Sequence, residues 1–189
     1  MSSGLPSSTA HGQPTTAGNS LINRGNLSQL TEPALSAARV QQALRDAGLD
    51  STIVEHGVAA RTSAEAASAL GCTVGEIAKS LIFRRGDNDA VLVIASGANR
   101  VDESKVAELL GEPIRKADAA FVRELTGYAI GGIPPLAHAK PSTTLVDRDL
   151  LQFACVHAAG GTPNAMFPIR PQDLVRVSGG RVADVRLGD

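Results

Sequence analysis

The spacing of hydrophobic residues predicts a series of short helices within residues 34 to 189. After Pro33, apolar residues recur at roughly helical spacing, and Gly48 follows them where a left-handed helix cap is expected. Two capping patterns, Thr62 to Glu65 and Thr73 to Glu76, predict a pair of short helices in tandem. The first half of the chain therefore indicates helices joined by short connections.

Short runs of aliphatic and β-branched residues predict strands. Ser80 to Arg84 and Ala90 to Ser96 flank Gly86 to Asp89, a pattern typical of a β-hairpin, and Lys79 is expected at the start of its first strand. The remaining predicted elements are helices at 102–110, at 118–126 and from Pro171, and strands at 52–56, near 114, and at 143–146, 153–158, 165–169 and 182–187. Hairpins mixed with helices predict an α+β fold, with a mixed, partly curled β-sheet and surrounding helices.

The first 33 residues differ from the rest in composition. They contain ten Ser or Thr residues but only two charged side chains, Arg24 and Glu32. Without periodic apolar residues, such a segment cannot offset the entropy lost on ordering. We therefore expect a flexible tail at 1–33 and a single domain at 34–189.

Composition limits the classes of function. With 18 Lys and Arg against 19 Asp and Glu, the net charge of -1 argues against a protein that coats DNA or RNA non-specifically, although a pocket that reads a few phosphates remains open. Cys72 and Cys155 lack the spacing of a zinc site or a redox pair, and two small buried hydrophobic side chains in a reducing compartment explain them better. The chain shows no membrane-spanning run or secretory signal, so a cytoplasmic protein is expected.

The run Gly131-Gly132-Ile133-Pro134-Pro135 is the most distinctive candidate for chemistry. Adjacent glycines expose bare backbone, whose N–H groups can face a carbonyl or an oxyanion, and the prolines stiffen the end of the run. Taken alone, the run also fits a helix cap followed by a tight turn. Motifs for a phosphate loop, a dinucleotide site, a zinc protease and a serine nucleophile are absent, and neither a cofactor nor a metal is expected.

Lys79 is the second candidate. Apolar neighbours on both sides, Ile77-Ala78 and Leu81-Ile82, predict that its stem lies along apolar surface while the ammonium reaches an edge or a cleft. A lone lysine is more often a solvated surface charge, so Lys79 is a candidate for function only because of its apolar neighbours.

Several patches, in order, resemble one known family. They are Glu76 to Ile82, Val91 to Ile94, Ser96-Gly97 with Val101-Asp102, Thr126 to Tyr128 with Gly131 to Pro135, Val146-Asp147, Pro171 to Leu174 and Val182 to Val185. Over nearly all of residues 34 to 187, this ordered set resembles the YbaK / prolyl-tRNA synthetase-associated editing-domain family. Each patch alone is weak evidence for this family, whereas the order and spacing of all the patches together are fairly specific to it.

The resemblance implies a trans-acting hydrolase that cleaves a wrong amino acid, Cys or Ala in particular, from the 3′ end of tRNA-Pro. The lysine that matches Lys79 contacts the terminal phosphate, and the loop that matches Gly131 to Pro135 holds the aminoacyl carbonyl by backbone groups. Neither a metal nor a covalent intermediate is implied, and the substrate's ribose hydroxyl could activate the attacking water. The implied partner is the aminoacyl-tRNA acceptor end, and whether the protein acts alone or with prolyl-tRNA synthetase stays open.

Four further residues are candidates for substrate binding, each with a structural alternative. Asp147 could support the site or cap a helical turn, and Ser96 and Asn99 could bind substrate or close a strand end. His56 could line the cleft or be an ordinary imidazole.

The rival function is a non-catalytic module that binds tRNA or a synthetase, and a hydrolase of other activated esters is a third possibility.

Overall fold

The computed structural model describes residues 31–57, 60–87 and 89–188. The predicted tail lies almost wholly outside the described residues. Five α helices are present in the described part: α1 (Glu32–Asp46), α2 (Ser63–Leu70), α3 (Glu103–Leu110), α4 (Ala119–Thr126) and α5 (Pro171–Ser178). Eight strands accompany them: β1 (Val54–Glu55), β2 (Ile77–Arg85), β3 (Asp89–Ser96), β4 (Ile114–Lys116), β5 (Thr143–Asp147), β6 (Val156–Ala159), β7 (Ala165–Ile169) and β8 (Arg181–Ala183). None of these helices is long and apolar enough to cross a bilayer.

The eight strands form one open, mixed sheet in the order β1-β7-β6-β2-β3-β5-β8, with β4 pairing beside this path on β2. The pairs β2/β3, β2/β4, β6/β7 and β1/β7 are antiparallel, and the pairs β2/β6, β3/β5 and β5/β8 are parallel. Helices cover this sheet on both faces, so the predicted α+β class is confirmed.

Strand β2 has one continuous neighbour and two partial ones. On one edge it pairs with β3 from Ala78 to Arg85. On the other edge, β6 pairs only with Ile77 and Ala78, and β4 pairs only with residues 83–85. Among the described residues, no strand therefore pairs with residues 79–82 on this edge, and we call this segment the open edge of β2.

Side chains of β3 alternate between two hydrophobic layers, as expected for a strand covered on both faces. Leu92 and Ile94 face the larger layer, which packs under α1, α4 and α5. The next side chains along the strand, those of Val91 and Val93, face a smaller layer under α3. Strand β3 is therefore buried on both faces.

Local signals placed the helix ends correctly. The Asp102 carboxylate accepts hydrogen bonds from the Ser104 and Lys105 N–H groups, and Asp118 accepts from Phe121 N–H. These are N-caps, which satisfy donors that the first helical turn leaves without partners.

Several strand predictions were wrong in extent. Strand β2 begins at Ile77 rather than Ser80, because pairing with β6 extends it, and Lys79 is thus its third residue. The predicted strand at 52–56 is shortened to the two residues of β1. The predicted last strand at 182–187 ends at Ala183, and beyond it Arg186 forms an isolated bridge to Val101. The predicted strand at 153–158 begins only at 156, because a 3-10 helix, Arg148–Gln152, precedes it. The second tandem helix is a single 3-10 turn, Val74–Glu76.

Candidate active site

A cleft of about 250 Å³ lies against the open edge of β2. Lys79, Gly131 and Ile133 all line it, so the structure brings the two main sequence candidates together. The other walls are the first turn of α2 and the turn that precedes β7. Apart from Lys79, the one charged residue in the described lining is Arg61, and this lining contains no carboxylate. The cleft is therefore suited to an anionic group beside an apolar one.

The Lys79 ammonium is held by backbone carbonyls. Its Nζ donates to Asn99 O at 2.5 Å and to Gly97 O at 3.4 Å, both in the segment after β3. Burial lowers the pKa of Lys79, and the negative charge of Asp147 opposes this effect. A half-buried ammonium that has lost part of its hydration shell is well prepared to bind an anion.

The glycine loop, Gly131 to Pro135, begins with a tight turn. Gly132 N–H donates to Ala129 O at 3.0 Å, and Gly131 has φ +92°, which fits the third position of a type II turn. The Gly132 N–H group is therefore already occupied. The N–H groups of Gly131 and Ile133 donate to no acceptor within the described residues, and both residues line the cleft.

Gly132 serves close packing. A Cβ at this position would lie 2.7 to 2.8 Å from backbone atoms of Thr162, in the turn between β6 and β7. Only a residue without a side chain allows this approach, which sets the glycine loop directly against a second wall of the cleft.

Side chains behind the loop fix its shape. Tyr128 is 1% exposed, and its hydroxyl donates to Ala137 O at 3.1 Å while accepting from Arg39 Nε at 2.9 Å. Burial raises the pKa of Tyr128, so the hydroxyl stays protonated and can donate. His138 Nε2 donates to Pro134 O at 2.7 Å, and burial lowers the pKa of this imidazole.

Asp147 is fully buried and acts through its neighbours. Its carboxylate accepts from Ser96 N–H at 3.1 Å, from Asn99 Nδ2 at 2.8 Å and from Asp149 N–H at 3.1 Å. Asn99 in turn offers its main-chain oxygen to Lys79. Asp147, Ser96 and Asn99 are thus connected to the cleft through Lys79 and do not line it, and their role in substrate binding stays a prediction.

Other predicted site residues lie behind the cleft wall. Pro134 and Pro135 are buried, and neither contributes to the described lining. His56 is also outside the described lining. Its backbone N–H donates to Asn164 O at 2.7 Å, and its ring Nε2 is buried without a hydrogen-bond partner among the described residues. Among the described residues, no group of three or more His, Cys, Asp or Glu side chains could hold a metal ion.

Sequence reasoning missed two walls of the cleft. One is the start of α2, where Arg61, Thr62 and Ser63 line the space, and the other includes Ala159 and Pro163. The capping pattern at Thr62 and the glycine pair after Ala159 were visible in the sequence. Neither signal indicates a cleft, because it arises only when the sheet brings these turns to the open edge.

Comparison with known proteins identifies the family. Residues 58–177 match the family model described as the aminoacyl-tRNA editing domain. The chain belongs to this family.

Its relatives include both separate proteins and part of a synthetase. The uncharacterised protein YwhH of Bacillus subtilis is 29% identical over 133 residues, which cover 70% of this chain and 85% of YwhH. Proline–tRNA ligase of Thermoanaerobacter sp. (strain X514) is 30% identical over 96 residues, which are 49% of this chain but only 17% of the ligase.

Two solved structures share the fold along most of the chain. A candidate trans-editing enzyme for prolyl-tRNA synthetase is 47% identical with a TM-score of 0.77, covering 81% of this chain and 98% of that one. The hypothetical protein APE2540 is 37% identical with a TM-score of 0.74, covering 79% and 99%. The fold thus also occurs as a separate chain of similar extent.

Replacing Asp147 by alanine should destabilise the protein. The variant leaves the buried Ser96 N–H without its acceptor and takes from Asn99 Nδ2 one of its two carboxylate acceptors, so we expect the free energy of unfolding to fall by about 3 kcal/mol. Urea denaturation measures this change. Asp173→Ala is the matched control, because that carboxylate forms a surface pair with Arg176 on α5 and its loss should cost less than about 1 kcal/mol. Equal stability of the two variants would contradict the assigned role of Asp147.

Replacing Gly132 by alanine should separate the glycine loop from the turn at Thr162. The added methyl group overlaps backbone atoms, so a loss of about 1–3 kcal/mol in the free energy of unfolding is expected. Gly57→Ala serves as the control, since a Cβ there meets nothing within 4 Å. If Gly132→Ala unfolds at the same urea concentration as the wild type, the close approach does not constrain the loop.

Proposed function

We propose that the protein is a trans-acting aminoacyl-tRNA deacylase that hydrolyses the ester of tRNA-Pro misacylated with Ala or Cys. The observation that carries this proposal is the single cleft lined by Lys79, Gly131 and Ile133. Membership of the editing-domain family supports it, as does likeness to a separate chain that is itself a candidate trans-editing enzyme.

Lys79 is the proposed anchor for the terminal phosphate of the tRNA. Its ammonium donates to two carbonyl oxygens, and Arg61 adds positive charge to the same cleft. A phosphate oxygen would replace weak neutral acceptors with a charged one, which makes the hydrogen bond stronger.

The glycine loop is the proposed binding element for the aminoacyl carbonyl. Gly132 was predicted to take part directly, but its N–H group is held by Ala129 O. The donors best placed for this work are therefore the N–H groups of Gly131 and Ile133. Donors held rigidly where negative charge develops stabilise the transition state without reorganising during the reaction.

Water is the proposed nucleophile. The described lining contains no Cys, His, Asp or Glu side chain that could attack the ester or take a proton. The substrate's own ribose hydroxyl is the proposed group that orients and activates this water by accepting a hydrogen bond from it. An aminoacyl ester is already activated, so positioning and electrostatic stabilisation can supply most of the acceleration.

The apolar wall suits a small amino acid. Five alanines contribute to it, together with Ile77 and Met166; these alanines are Ala60, Ala66, Ala78, Ala159 and Ala165. A synthetase gains only about 1–3 kcal/mol from one missing methylene, so small amino acids escape its first selection. A second, hydrolytic pocket can remove them, and a complex with prolyl-tRNA synthetase would place it close to the source of the error.

The purified chain should release Ala or Cys from tRNA-Pro faster than it releases Pro. The reason is that the apolar wall admits a small side chain, and the measurement follows loss of radiolabelled amino acid from each of the three charged tRNAs. Hydrolysis at the spontaneous rate, together with retained binding of tRNA or synthetase, would favour the non-catalytic binding module. Equal activity on free esters would favour a general esterase.

Lys79→Ala should reduce deacylation by about 10- to 150-fold, because a hydrogen bond to a charged group contributes about 1.5–3 kcal/mol. Lys140→Ala is the matched control, since Lys140 pairs with Glu124 away from the cleft. Unchanged turnover in Lys79→Ala would contradict the phosphate-anchor role.

A further inference from the structure

Ser80 has polar groups without partners at the open edge of β2. Its hydroxyl oxygen is buried and makes no hydrogen bond within the described structure. Ser80 also lines the cleft. A buried hydroxyl without a partner costs free energy, so its presence beside a cleft calls for a ligand.

The strand register shows where the Ser80 backbone points. Gly97 N–H donates to Ile77 O at 2.7 Å, which makes Ile77 and Gly97 a hydrogen-bonded pair. In an antiparallel ladder such pairs alternate, so the Ser80–Ile94 pair has its N–H and C=O groups directed away from β3.

No strand receives these backbone groups within the described residues. Pairing with β6 stops at Ala78, and pairing with β4 starts at Phe83. Ser80 therefore presents a main-chain carbonyl and N–H in the gap between β6 and β4, beside its own hydroxyl. Two oxygen acceptors are thus available on one residue at the floor of the cleft.

Lys79 and Ser80 serve different parts of the cleft. Successive side chains of a strand point to opposite faces, and the Lys79 ammonium is bound to carbonyls of Gly97 and Asn99 at the end of β3. The Ser80 carbonyl points to the other edge of β2, its hydroxyl lies on the face opposite the Lys79 side chain, and Ser80 and the glycine loop line the same cleft. A ligand at this edge needs hydrogen-bond donors to meet these oxygens.

We propose that Ser80 binds the α-ammonium group of the aminoacyl ester through its main-chain carbonyl and its hydroxyl. This inference rests on the proposed deacylase function and extends it to recognition of the amino group. The hydroxyl has no hydrogen bond to break when its χ1 torsion turns toward the ammonium. The residue thus distinguishes an aminoacyl ester from an ester that lacks an amino group.

The test compares alanyl-tRNA-Pro with lactyl-tRNA-Pro, which is obtained by nitrous acid deamination and carries a hydroxyl in place of the α-amino group. Hydrolysis is followed in single turnover, at enzyme concentrations where both esters are cleaved faster than spontaneously. Ser80→Ala should slow hydrolysis of the alanyl ester about tenfold and of the lactyl ester less than about twofold. Equal losses on both esters, or no loss on either, would overturn the inference.

Stability separates binding from a structural role. Ser80→Ala removes an unpartnered buried hydroxyl, so the melting temperature should stay the same or rise. The matched variant Ser96→Ala loses a hydrogen bond of 2.8 Å to Gly75 O and should melt at a lower temperature. A clear fall in the melting temperature of Ser80→Ala would also count against the inference.

Failure of the underlying function gives a different result. If the wild-type chain cleaves neither ester, the deacylase proposal is contradicted and the role of Ser80 with it. If the wild type cleaves both esters and Ser80→Ala retains the same preference between them, only the role of Ser80 is contradicted.

Discussion

Strand β2 has two successive neighbours along one edge, first β6 and then β4, and the cleft depends on the gap between them. Two strands, β6 and β4, share that edge and leave residues 79–82 between them without a partner strand in the described part of the chain. A buried strand edge without a partner leaves polar backbone groups unsatisfied, which is costly unless a ligand or water meets them. The same interruption that weakens the sheet thus creates a polar floor for a site, and Lys79 lies at its start.

Two independent sets of contacts hold the halves of the site. On the Lys79 side, the buried Asp147 carboxylate fixes Asn99, whose main-chain oxygen holds the ammonium. On the loop side, Arg39 of α1 holds the Tyr128 hydroxyl, and Gly132 rests against Thr162. Each set includes a buried side chain, Asp147 on one side and Tyr128 on the other, which holds its half of the site in place.

Local chemistry was predictable from the sequence, and long-range pairing was not. The caps at Asp102 and Asp118 depend on residues within one helical turn, so the local sequence pattern was enough to predict these helix starts. Lys79 and the glycine loop were chosen because their order resembles a known family, and the structure places both on one cleft. The open edge depends on where two distant strands begin and end on β2, which no local pattern encodes. His56 was one of two alternatives, a cleft residue or an ordinary imidazole, and it lies outside the described lining, with its backbone N–H bound to Asn164 O.

The most direct test of a single site is an NMR titration of the purified chain with the non-hydrolysable amide 3′-alanylamino-3′-deoxyadenosine 5′-phosphate. The ligand carries the phosphate, the carbonyl and the α-ammonium at once. We expect the backbone amide resonances of Lys79, Ser80, Gly131 and Ile133 to shift together along one binding curve. Shifts elsewhere on the protein, with these four resonances unchanged at saturation, would contradict the proposal that the cleft holds the aminoacyl end of tRNA.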